Sequence, residues 1–271
     1  MAMARRDDHP LLAMLPRGGS RATRILERNT LVAHRNLGPL IAGFVEPVFY
    51  LFAIGVGVGA LVGDITGPSG EAVDYRAFVA PGLLAASAMN GAIFESTFNV
   101  FFKLRDEHTY DAMLATPLEP FDIALGEIGY ATLRAGLYAT GFLGVMALAG
   151  LATTPWVVMV IPAALLIGLA FSAVGMAATT WMTSWQHFDL VSLVSLPMFL
   201  FSATFYPLSI YPPWLQGVMR LSPLYHGVEL VRAATFGIAD WSLLAHAVVL
   251  VAMGAIGLAV TGRRIELLLR T

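Results

Sequence analysis

The chain has no cysteine. That excludes disulfides, thiolate metal sites and cysteine nucleophiles, and it leaves the compartment open. Charge is scarce as well. Only 13% of the 271 residues are charged and 57% are hydrophobic, whereas a soluble domain carries about 25% charged residues. About half of the usual charge is missing, as in a polytopic membrane protein. Lysine is reduced to one residue, Lys103, which follows Phe102. A phosphate-binding P-loop needs a lysine after glycine to reach the β and γ phosphates, so no Walker site is expected in this chain. The six histidines, at 9, 34, 108, 187, 226 and 246, lack paired-ligand spacing, and no metal site is expected. There is no Gly-x-Ser-x-Gly elbow and no basic surface interleaved with aromatics to suit a nucleic acid. No catalytic residue is assigned. Residues 1–37 carry seven arginines and no long apolar core, so no cleavable signal peptide is expected.

What is present is long apolar sequence. A spanning helix needs about 20 mostly apolar residues, and six segments approach that: 38–62, 77–102, 123–149, 156–181, 188–206 and 241–262. The expected fold is an all-α polytopic membrane protein of six spans. Before the first span, residues 21–36 mix Ile25, Leu26, Leu31 and Val32 with Arg21, Arg24, Arg28 and Arg35. That spacing suits an amphipathic helix in the membrane surface or a solvated juxtamembrane helix. Cytoplasmic loops collect Lys and Arg. With the N-terminus inside, twelve of the sixteen basic residues fall in inside segments and only Arg76, Arg220 and Arg232 fall outside. Both termini are therefore expected in the cytoplasm, together with the polar segment 103–122. The acidic loop holding Asp64, Glu71 and Asp74 is expected outside.

Residues 206–237 are partly apolar but broken by Pro207, Pro212, Pro213 and Pro223. A continuous span would not carry so many prolines, so two short re-entrant helices are expected, packed against other spans or lining a cavity. Glu229 and Arg232 are three apart there, as helix neighbours. Inside the spans lie Glu46, Glu95, Glu127 and Arg134. Each intramembrane charge costs roughly 2.5–3.5 kcal/mol at a helix centre. Glu46, Glu95 and Arg134 either surround a polar translocation path or form an ion pair that holds spans together. Glu127, near the cytoplasmic end, is expected to snorkel to the interface. Pro47 suggests a local break in span one.

The segment 103–122, KLRDEHTYDAMLATPLEPFD, is longer than a passive connector needs. LRDEHTYDAMLA can form a short helix with Leu104, His108, Asp111 and Ala115 on one face and Tyr110, Met113 and Leu114 on another. Thr116-Pro117 ends it, and Asp122 is a plausible N-cap for the next span. Charges of both signs on a compact helix favour a docking element.

These features together resemble the membrane subunits of ABC-2 type transporters, especially the NodJ-like branch linked to lipooligosaccharide and drug export. The residues that carry the resemblance are Asp111, Leu114, Ala115, Thr116, Pro117 and Leu118 in the charged helix. Two further segments add to it, FSATFYPLSIYPPWL and the ending LSPLYHGVELVRA. Ser202-Ala203 stands where the family usually has Ser-Gly. The resemblance spans about residues 20–265. It implies a connecting helix within residues 1–37, an ABC-2 type transmembrane domain over 38–262 with its re-entrant hairpin at about 207–237, and a cytoplasmic tail at 263–271.

It further implies that 104–116 is the coupling helix seated on a separate ATPase, with Arg105, Asp106, Glu107, Tyr110, Asp111 and Leu114 at that contact. Pro207, Pro212, Pro223, Glu229 and Arg232 would belong to the extracellular gate. Two permease subunits, identical or related, would pair with two ATPase subunits in a bacterial inner membrane. ATP and magnesium would bind the partner, with no cofactor in this chain. The cargo would be lipid-linked, a glycolipid or an amphipathic drug-like molecule. Two rivals are an ion-coupled carrier using Glu46, Glu95 and Arg134, and a lipid-modifying membrane enzyme. The first lacks a visible repeat, and the second lacks a catalytic cluster.

Overall fold

A computed structural model describes residues 21–35 and 38–269 of the chain, and 79% of it is helical. Helix α1 (Arg21–Arg35) is the expected amphipathic segment. It buries Ala22, Ile25 and Asn29 and leaves Arg21 and Arg24 exposed. Ile25 sits over Gly126, where an added Cβ would lie only 2.6 Å away. Helix α2 (Gly38–Tyr50) continues through a π-helical stretch, Leu51–Val56, and a last turn, Gly59–Val62. The break expected at Pro47 is absent. Proline removes one backbone bond, and in an apolar surrounding the rest of the helix remains the only way to satisfy its own amides.

The acidic loop that follows is a small hairpin. Strands β1 (Asp64–Thr66) and β2 (Ala72–Asp74) pair antiparallel, with Asp64 opposite Asp74. Three residues per strand are too few to show an alternation in sequence. The Asp74 carboxylate then caps helix α3 (Tyr75–Phe94) by accepting from the Arg76 N–H at 2.7 Å. Two π-helical stretches, Glu95–Asn99 and Phe102–Asp106, extend α3 towards the polar segment. Such bulges recur at functional sites.

A short helix α4 (Thr109–Leu114) follows. Helix α5 (Pro120–Leu148) begins with proline at its first turn. Asp122 is not its N-cap. It sits one turn in, and its carboxylate accepts from the Glu119 N–H at 3.0 Å, one half of a capping box. Helix α6 (Val160–Thr179), entered through a 3-10 turn at Pro155–Met159, is the central post. It packs against α3, α5 and the last helix, α10 (Ser242–Leu269). An added Cβ at Gly257 would lie 2.7 Å from the Val174 nitrogen, so α10 and α6 meet backbone to backbone, as small residues permit in membranes.

Helix α7 (His187–Leu200) stops six residues before the expected end of span five. Ala203 turns to φ 56, in the left-handed region, and Pro207 follows. Helices α8 (Pro213–Arg220) and α9 (Pro223–Phe236) form the expected hairpin. The last helix runs through Arg263 and Arg264 to Leu269, so most of the expected tail is helical. Arg264 stacks 4.7 Å over the Trp181 ring, a favourable cation–π contact.

Among the described residues, four helices are long and apolar enough to cross a membrane: Tyr75–Asp106, Pro120–Leu148, Pro155–Thr179 and Ser242–Leu269. Pro47–Val62 and His187–Leu200 are apolar but shorter.

Candidate translocation path and coupling surface

The polar segment is built on an apolar base. Tyr110 and Met113 turn inward from α4 and join Ile25, Ile123, Ile128, Met176 and Ile265 in one cluster. Asp106, Glu107, His108 and Asp111 remain exposed. His108 reaches φ 50 to start the helix, and its ring nitrogen lies 3.1 Å from the Asp111 carboxylate. Thr109 donates to Glu107 at 3.0 Å. The outer face is therefore acidic. One expected contact residue, Tyr110, needs correction. Tyr110 is 1% exposed and anchors the helix instead of offering a surface, because a ring of that size gains more from burial than from a wet contact. Burial, with the Glu127 carboxylate nearby, pushes its phenol well above the usual value. Leu114 is half-buried against the same cluster. Arg105 is half-buried too, with its Nε enclosed.

Beneath α4 lies a cluster that sequence alone did not assemble. The Lys103 ammonium donates to both oxygens of Glu127, at 2.8 and 3.0 Å, and to the Asn29 side-chain oxygen at 3.2 Å. The Asn29 amide donates to Glu127 at 2.9 Å. Lys103 is 7%, Glu127 2% and Asn29 4% exposed. Glu127 thus does not snorkel, since its counter-ion is supplied inside. The three residues tie α1, α3 and α5 together directly below the acidic helix.

Farther along α3, at the first residue of a π stretch, Glu95 pairs with Arg134 of α5 and accepts from Asn99. Arg134 also donates from Nε to the Tyr138 hydroxyl at 2.8 Å. Glu95 is 1% exposed. The structure brings these two expected path residues together. The side chain of the third, Glu46, lies outside the described residues. Arg134, Phe94 and Phe98 form a shared wall between two cavities. One, of about 380 Å³, is bounded by α2, α3, α5 and α7. The other, of about 290 Å³, extends to Arg28 and Glu107. A polar ion pair thus lies between a chamber beside the polar segment and one among the long apolar helices.

At the hairpin, Pro212 immediately precedes α8 and Pro223 starts α9, while Pro207 precedes a 3-10 turn. Each sits where its missing N–H costs nothing. Arg232, 3% exposed, donates to Glu229 at 2.8 Å and to the Ala203 carbonyl at 2.6 Å, and lies 4.1 Å over the Phe78 ring. It therefore pins the left-handed turn after α7 to α9 and α3.

The family model of ABC-2 type transporters matches residues 22–236, most of the chain. The chain is an ABC-2 type transporter permease. It is similar to Nodulation protein J of Rhizobium leguminosarum bv. viciae, 34% identical over 230 residues, 83% of this chain and 86% of that one. A Nodulation protein J of Neorhizobium galegae is 35% identical over 228 residues, 82% of this chain and 84% of that one. The inner membrane transport permease YadH of Escherichia coli K12 is 27% identical over 222 residues, 78% of this chain and 82% of that one. The permease is thus an integral protein of the bacterial inner membrane, a transport component and not itself an enzyme, and its family implies an ABC ATPase partner.

Proposed function

We propose that this permease is half of the membrane portion of an exporter, paired with a second identical or related permease and driven by two separate ATPase subunits that bind ATP and magnesium. Both termini and α4 face the cytoplasm, and six helices span the membrane. The hairpin α8–α9 closes the outer end, and the cargo is an amphipathic or lipid-linked molecule. The observation that carries the reading is the build of α4. Tyr110 and Met113 seat it on an apolar base, and Asp106, Glu107 and Asp111 form an acidic outer face. A basic groove on an ATPase complements that face, and charge complementarity sets register and partner choice. Motion of α4 passes to the Lys103–Glu127–Asn29 cluster and so to α1, α3 and α5. Charge reversal at Asp106 and Glu107 tests this. The expected outcome is an assembled permease whose partner hydrolyses ATP without moving cargo. Unchanged transport and hydrolysis would contradict the assignment.

A further inference from the structure

The α8–α9 hairpin meets the last helix through a pair of histidines. His226, near the start of α9, and His246, near the start of α10, face each other with their Nδ1 atoms 2.7 Å apart. Their ring centroids lie 5.0 Å apart, and the Tyr225 ring packs edge-on against both. Both histidines are half-buried.

At that distance one ring donates its Nδ1–H and the other accepts on a bare Nδ1. There is room for one proton between the two nitrogens. A neutral pair keeps the hydrogen bond, and so does a pair that has gained one proton. A pair in which both rings are imidazolium loses it. Both nitrogens then carry a hydrogen, and two like charges stand in contact.

The surroundings do not cancel that repulsion. Glu229, on the next turn of α9, faces both rings, but its carboxylate already accepts from Arg232. The backbone of Arg220, at the end of α8, lies against His226, and its side chain adds a cation beside Tyr225. Asp240, just before α10, accepts from the Ser242 hydroxyl. Helix α6 and the 3-10 turn before it also pack on α9 and carry no titratable side chain. Helix α3 brings only Tyr75 and Arg76, and Arg76 is paired with Asp74. Helix α10 has no other titratable group before Arg263. Helix α5 meets α10 at Phe121 and Gly262, the opposite end.

We propose that His226 and His246 form a proton-binding site that latches the α8–α9 hairpin to α10. The latch holds while the pair has gained at most one proton. A second proton, taken up as pH falls below the ordinary histidine value of about 6.5, parts the two helices. The parted pair binds one proton more than the closed pair, so acid favours parting and a rise in pH restores the contact. As the control of an outer gate, this rests on the exporter reading. As a proton-dependent contact between α9 and α10, it stands by itself.

The test uses the full chain in phosphatidylcholine nanodiscs, without ATPase. Because the chain has no cysteine, nitroxides can be placed at two exposed positions alone, Val218→Cys on α8 and Leu148→Cys at the end of α5. Pulsed EPR distances should resolve a closed and a parted population. Their ratio should shift by about tenfold between pH 6.5 and pH 5, the weight of one proton, and return at pH 7.5. The double variant His226→Gln, His246→Gln keeps neutral donors and acceptors at every pH, and its ratio should stay flat. The single variant His246→Gln, which leaves one imidazole beside a neutral amide, should lose the response as well. A parent ratio that does not move between pH 7.5 and pH 5 would overturn the proposal. So would a response of parental size in either variant, which would place the titration on another group. A flat ratio in protein that still recruits an ATPase sinks only this inference. A pH response in protein that recruits none sinks only the exporter reading.

Discussion

A buried charge is tolerated only with its counter-ion, and among the described residues Lys103–Glu127 and Arg134–Glu95 are ion pairs with both side chains no more than 10% exposed. Removing one partner of a buried pair costs about 3–5 kcal/mol, because the other is left uncompensated. Lys103→Met should therefore lower the unfolding temperature sharply, while the double variant Lys103→Met, Glu127→Met should regain much of the loss. A double variant as unstable as the single one would show that the pair is not coupled. By the same argument Arg134→Ala, which strands Glu95, should damage folded yield far more than Arg76→Ala, whose pair with Asp74 lies exposed and is screened by water. Equal yields would refute it.

Ala203 offers a change in the other direction. It holds the left-handed conformation in which glycine carries no Cβ penalty, so Ala203→Gly should stabilise the protein by about 1 kcal/mol. A lowered melting temperature would contradict that. At this scale the sequence was only half legible. Arg134 and Glu95 stood out as charges within apolar runs. Lys103 showed nothing of its ion pair, because its partners lie 24 and 74 positions away and no periodicity links them.

Elements were easier to foresee. Apolar length marks spanning helices directly, and the proline pattern of 206–237 marked the two short hairpin helices. What escaped were features too short or too conditional on packing. Strands β1 and β2 have three residues each. The π stretches in α3 follow from packing among neighbours, and the early end of α7 depends on a turn pinned by Arg232 from α9. Within α4 the alternation of faces was visible, and Tyr110 and Met113 do fall together. Charge made the whole segment look like surface, however, and so placed Tyr110 at a contact when it is the anchor. Tyr110→Ala should therefore destabilise α4 itself, with loss of about 3–5 kcal/mol, and protease should cut near Thr109–Leu114 more readily. Asp111→Lys should leave the fold intact and weaken the ATPase complex. Unchanged proteolysis in the first variant, or unchanged complex in the second, would contradict the assignment of inner and outer faces.

At the scale of the molecule, the account divides labour between chains. In the exporter proposed above, this permease would supply the path, with helices packed around α6, cavities walled by Arg134 and the α8–α9 hairpin held by Arg232. The driving chemistry would belong to the ABC ATPase partner that the family implies. The most direct test is purification of the chain in mild detergent after expression with its neighbouring genes, with mass identification of what co-purifies and an ATPase assay. The account predicts a stoichiometric ATPase subunit carrying Walker motifs, lost when residues 104–116 are scrambled. A chain that purifies alone and moves cargo without ATP would contradict it.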